Sequence, residues 1–311
     1  MNPIKQFLSF LQLQRSMLRG SGIRGALRLN REMIGALAAT RAALDGYYRR
    51  IPETELRALK FSERAFVCGS GYSLNEITPE EWQHISEDVT VGFNAFVYQE
   101  WVKVNFHVIR GWGEGADPST LSRLVEDFGS LVARNPYYRD TVFVCQDEYT
   151  AMFARRLLSN RGLPKRARIF PYHTNRTSLM PGRLFSGGLV HGTGTLCDAI
   201  NFASCMGYSE IVLVGVDLYD SRYFWIEPDK TFAVDEGTGE RLIEDTTDRG
   251  QRFDEPHSTA TSGVVSLMAN WHEHLKAHGI RLLVYNPKSL LADVMPIYHP
   301  PNLAESLDHD V

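Results

Sequence analysis

The chain has 311 residues, 43% of them hydrophobic, and a formal net charge of −4. That length holds one large core with room for an appendage. Charged residues at 23% in near balance exclude a disordered chain and a general nucleic-acid binder, and no apolar run reaches the ~18 residues of a bilayer span.

Residues 1–50 stand apart. They carry nine basic side chains, Lys5 and Arg15 through Arg50, against Glu32 and Asp45, a balance of +7 in a chain whose total is −4. Ile4, Phe7, Leu8 and Leu11, then Met33, Ile34 and Leu37, recur at helical spacing. A basic amphipathic segment lies on an anionic membrane face, or it packs on the domain with its arginines solvated. Both readings stand at this point. Met1 to Leu18 lacks the shape and the small-residue cleavage site of a secretory signal, so the expectation is a cytoplasmic protein, peripheral at the inner membrane in the first reading.

After Pro52 apolar runs alternate with helical patterns. Strands are expected at 64–70, 89–94, 106–110, 141–145 and, more weakly, 167–172. Thr78-Pro79-Glu80-Glu81 reads as a helix start, with Thr78 as cap, Pro79 in the first turn and Glu81 completing a capping box. Further helices are expected over 118–133, over 194–206 with Gly207 as terminator, and over 259–278 with Gly279 closing it. Glu210 to Asp217 is the strongest strand signal, and 281–287 the last. Residues 221–256 are polar and glycine-containing, an insertion placed to act as a lid. The expected architecture is α/β: a Rossmann-like, mostly parallel sheet with helices on both faces. The domain reading is a basic helical segment over 1–60, a catalytic domain over 61–298 and a tail over 299–311. Cys68, Cys145, Cys197 and Cys205 form no CxxC pair and read as buried reduced thiols.

In open α/β sheets, ligands sit outside the carboxyl ends of the strands. Gly69-Ser70-Gly71 follows the first strand there, a turn that lets backbone N–H groups approach phosphate or simply turns. Asn94 follows the second, as a base or ribose reader or as a turn residue. His191-Gly192-Thr193-Gly194-Thr195 precedes a helix, suiting an anion or an ordinary cap. Asp217, Tyr219, Asp220 and Tyr223 follow the strongest strand. Two carboxylates alone underfill a cation's oxygen shell, so no metal is assigned. His257 lies between the insertion and a helix, where a general base or a surface histidine both fit. His272, His274 and His278 on one helix read as a solvated face.

These pieces in this order resemble the bacterial sialyltransferases of glycosyltransferase family 42, the Campylobacter type, and their wider relatives. The likeness runs from about Phe66 to Ile297 and rests most on Met206 to Tyr219, His257-Ser258 and Asn286-Pro287-Lys288-Ser289-Leu290-Leu291-Ala292. The resemblance implies a GT-A-like variant of the fold and a metal-independent, inverting transferase acting in lipopolysaccharide biosynthesis. Such an enzyme uses a CMP-activated nonulosonic sugar as donor substrate, without a cofactor, and a glycan or glycolipid as acceptor; relatives imply a homo-oligomer. It also implies donor contacts at Gly69, Ser70, Gly71, Asn94, Thr193, Gly194 and Asp217, phosphate binding by Tyr219 and Tyr223, and His257 as base. Two positions depart from the pattern. Ser70 and Tyr72 stand where the family has asparagine and proline, and Val190 where it has an arginine, with the shorter His191 beside it. Sialic acid, another nonulosonate and Kdo therefore all remain as donors. Two other readings are a metal-dependent pterin-type pyrophosphokinase using Asp217 or Asp220, and a non-catalytic nucleotide-binding partner of glycan assembly.

Overall fold

Short runs such as Ala65-Phe-Val-Cys68 are apolar at successive positions, as strands covered on both faces must be. The computed structural model describes residues 15, 22–24, 27, 31, 34–35, 38–110, 118–148, 151–226, 230–234, 241–245 and 258–300. Its strands are β1 (Arg49–Arg50), β2 (Arg64–Cys68), β3 (Val89–Phe93), β4 (Phe106–Ile109), β5 (Val142–Gln146), β6 (Arg168–Tyr172), β7 (Thr174–Asn175), β8 (Leu189–Val190), β9 (Glu210–Val214), β10 (Lys230–Val234), β11 (Arg241–Asp245) and β12 (Arg281–Val284). The labelled helices are α1 (Glu53–Ala58), α2 (Pro79–Ser86), α3 (Pro118–Arg134), α4 (Met152–Ser159), α5 (Thr195–Met206), α6 (Ser258–Thr261) and α7 (Val264–Ala277).

Eight strands form one sheet in the order β1-β6-β5-β4-β3-β2-β9-β12. Every pairing in it is parallel. The protein is a mixed α/β, Rossmann-like fold, as the alternation of patterns predicts. Strand pleating splits the core in two. Ala65 and Val67 of β2 pack with Ala199, Phe202 and Trp271 from α5 and α7. Phe66 and Cys68 pack with Trp82, Phe128 and Phe153 from α2, α3 and α4. Burying one such aromatic or aliphatic side chain contributes roughly 1.5–3 kcal/mol, so the two layers dominate stability.

Local signals placed several boundaries well. Thr78 Oγ1 accepts from Glu81 N at 3.2 Å and Glu81 Oε2 accepts from Thr78 N at 2.8 Å, completing the capping box. Gly207 ends α5 with φ 81°. The expected helix over 259–278 is two: Gly263 at φ 85° sits between α6 and α7, a left-handed conformation that a continuous helix excludes. His272 on α7 is buried, with Nδ1 3.2 Å from Leu282 O, because it lies on the stripe facing β12 rather than on the solvated face. All four cysteines are free and buried.

The basic segment is helical at its end, as expected, and structure beyond the expected elements appears at Arg49–Arg50, at β7 and β8 and in the insertion. Residues 38–46 are helical, and Ala43, Leu44 and Tyr48 are buried. Arg49 and Arg50 then extend the sheet beside β6. This end of the basic segment therefore packs on the domain. Within the insertion, Phe224 and Ile226 are buried, and β10 pairs antiparallel with β11. Among the described residues no helix is long and apolar enough to cross a membrane.

Candidate functional site

From β2 the sheet grows through β3, β4, β5 and β6; the chain then returns to lay β9 on the other side of β2. The order reverses between β2 and β9, the kind of point at which open α/β sheets bind ligands. Gly69 N donates to Val214 O and Gly71 N to Gly215 O, each at 2.8 Å. A Cβ on Gly71 would overlap the Asp217 carboxylate and lie 2.9 Å from Gly215 O, so a glycine is required for the two loops to meet.

Asp217 is the clamp. Its side chain accepts from Ser73 N at 2.9 Å, Ser73 Oγ at 2.5 Å and Asn286 Nδ2 at 3.0 Å. It thus ties together the segments that follow β2, β9 and β12. Burial pushes its pKa up, against the downward pull of the Ser73 and Asn286 hydrogen bonds. Asn286 Nδ2 also lies 3.5 Å from the hydroxyl of half-buried Tyr219. Burial raises the Tyr219 pKa, so the phenol is a neutral hydrogen-bond donor. Next to it, Lys288 Nζ reaches Glu76 at 3.3 Å. Both oxygens of Asp220 are engaged by Arg222, whose guanidinium lies 3.8 Å over the Tyr72 ring. Ser70 O accepts from Phe224 N at 3.3 Å. Tyr223 forms an antiparallel bridge with Gly71, and its ring centroid is 4.6 Å from that of Trp225.

The structure therefore gathers Gly69, Ser70, Gly71, Asp217, Tyr219 and Tyr223 around the reversal point. Asn94, at the end of β3 with φ 48°, shares the same carboxyl edge. So do Thr193 and Gly194. Gly194 is the N-cap of the 12-residue α5 and, having no side chain, supplies no cap to its first turn. Thr193 Oγ1 is buried without a hydrogen-bond partner among the described residues; its polar neighbour is the weakly bonding Cys197 thiol. His257 lies outside the described residues.

A second polar group on this edge escaped the reading of the sequence. Asp198, in the first turn of α5, is fully buried. Its Oδ1 accepts from Arg110 Nη1 at 3.1 Å and from Tyr172 OH at 3.2 Å. Its Oδ2 lies 2.6 Å from His191 Nδ1. Arg110 Nη1 also reaches Thr174 Oγ1 at 3.0 Å. One signal was present: an aspartate inside the otherwise apolar run Leu196-Cys-Asp-Ala-Ile200 must find partners when the helix is buried.

The chain matches no protein-family model and no curated protein. The edge presents hydroxyls and two ion pairs, Lys288 with Glu76 and Arg222 with Asp220, while the N–H groups of Gly69, Gly71 and Ser73 are donated within it. Among the described residues no three His, Cys, Asp or Glu side chains converge as a metal site would. Asp217 and Asp220 spend their oxygens on Ser73, Asn286 and Arg222, so a cation there would first have to displace these donors.

Proposed function

We propose that the protein is a metal-independent, inverting glycosyltransferase of the family 42 sialyltransferase kind. It moves a nonulosonic sugar from a CMP donor to a glycan or lipid-linked acceptor, with a histidine as general base; the resemblance nominates His257. The observation that carries this reading is the reversal point. A glycine turn, the Tyr219 hydroxyl and a helix start without a side-chain cap lie on one carboxyl edge, where Asp217 and Asp220 are already held by Ser73, Asn286 and Arg222. Preorganised neutral donors at a leaving phosphate supply the stabilisation a metal would otherwise give.

A thermal-shift panel of CMP, UDP, GDP and ATP, each with and without Mg²⁺, tests it. CMP without metal should raise the melting temperature more than the others. A response confined to ATP with Mg²⁺ would select the pyrophosphokinase reading, and CMP binding without donor turnover the non-catalytic one.

The basic segment supports attachment to an anionic surface. Ile23, Leu27 and Ile34 are 72%, 65% and 62% exposed, at spacings that share one helix face, with Arg24 and Arg31 beside them. Removing residues 1–37 spares the buried Ala43, Leu44 and Tyr48. The truncated chain should keep its CMP response and sediment less with phosphatidylserine vesicles than the full chain. Equal sedimentation would remove the membrane role.

A further inference from the structure

The transferase reading needs a group that takes the acceptor's proton, and the second polar group described above has the geometry for it. We infer that His191, held by Asp198, is that proton acceptor. The inference rests on the transferase reading and moves the base from His257 to His191.

Three features of the pair carry it. The Asp198 carboxylate is fully buried and lies 2.6 Å from His191 Nδ1, a distance at which a ring N–H donates to a carboxylate. That bond fixes the proton on Nδ1 and leaves the lone pair on Nε2. Second, Arg110 and Tyr172 hold the other carboxylate oxygen, so the aspartate cannot rotate away. Arg110 also pairs with the carboxylate, so the buried charge has a second, cationic partner besides the imidazole. Third, the His191 side chain is 32% exposed while Asp198 is at 0%, so the ring joins a buried carboxylate to the surface, in the turn where Gly194 N donates to His191 O. An acceptor–histidine–carboxylate chain is the arrangement a general base needs.

The step balances simply. The acceptor hydroxyl gives its proton to His191 Nε2 while its oxygen forms the bond to the anomeric carbon. The bond from that carbon to the phosphate oxygen breaks, and its electron pair leaves on CMP. The proton then passes from Nε2 to solvent through the exposed part of the ring. His191 is the catalytic residue in this scheme; Asp198 and Arg110 are positioning residues.

H191N carries the test, since an asparagine amide keeps a donor for Asp198 but has no Nε2 lone pair, and a part-exposed site tolerates it. The probes are CMP-N-acetylneuraminate and CMP-Kdo, with release of CMP as turnover, in wild type, H191N and H257N. CMP binding is followed in parallel by thermal shift, and the His191 tautomer by long-range ¹H–¹⁵N correlation in ¹⁵N-histidine-labelled wild type. The expected result is an Nδ1–H tautomer, a fall in kcat of about 10²–10⁴-fold in H191N with CMP binding retained, and a smaller fall in H257N. An Nε2–H tautomer overturns the inference. So does H191N turnover within about threefold of wild type, and in that case a CMP response and active wild type leave the transferase reading standing. A wild type that neither binds CMP nor turns over either donor overturns both, which separates the two failures.

Discussion

Replacing Asp217 with alanine should lower unfolding free energy by about 2–4 kcal/mol. Three donors lose their acceptor at once: Ser73 N, Ser73 Oγ and Asn286 Nδ2. Each buried donor left unpaired costs roughly 1–3 kcal/mol, while removing a buried carboxyl returns part of its desolvation cost. The loss is therefore less than three full bonds. Ser73, Asp217 and Asn286 are all buried, so water does not readily replace the acceptor. Urea midpoints of wild type and variant at matched pH measure the effect, and a loss below about 1 kcal/mol would mean that Asp217 is not the clamp joining the three loops.

The same carboxyl gives a pH signature. Its pKa is raised, chiefly by burial. An acid that holds its proton more tightly in the folded chain contributes stability that is fully present below the unfolded pKa and is lost as pH rises through the folded one. The stability difference between wild type and D217N should therefore shrink with rising pH between the ordinary aspartate value and the raised one. A difference that grew with pH across that window would contradict the burial argument.

The second large effect concerns turnover. Tyr219→Phe should reduce kcat with a CMP-activated donor by about 10²–10³-fold, the range for removing one donor from a developing charge. The phenol hydroxyl has one near partner among the described residues, Asn286 Nδ2 at 3.5 Å, too long to hold the fold together. Stability should hence stay within about 0.5 kcal/mol of wild type, as for surface changes. KM for the donor should move less than kcat, because the bond strengthens as charge builds on the leaving phosphate. Turnover unchanged in Y219F, with the protein folded, would take Tyr219 out of the mechanism and weaken the transferase reading itself.

Much of the fold was legible along the chain because parallel strands buried on both faces read as unbroken apolar runs, and because Thr78, Gly207 and Gly279 punctuate helices locally. Arg49 and Arg50 were not legible as a strand: two exposed arginines carry no period, and only β6 beside them makes them one. The glycine turn, Asn94, Thr193, Gly194 and Tyr219 could be placed on one edge from the sequence, because each follows a strand or precedes a helix. The roles of Asp217 and Asp198 could not. Ser73 lies 144 positions from Asp217 and Asn286 lies 69 from it, while Arg110 lies 88 from Asp198.

By itself, then, the sequence determined every strand of the main sheet but β1, and most helix ends, since each depends on neighbours within one element. Only the tertiary structure decided that Asp217 turns inward as a clamp, that Phe224 anchors the start of the insertion, and that His191 meets a buried aspartate. Such pairings arise when separate crossovers bring distant loops to one edge, and no local period in the chain encodes them.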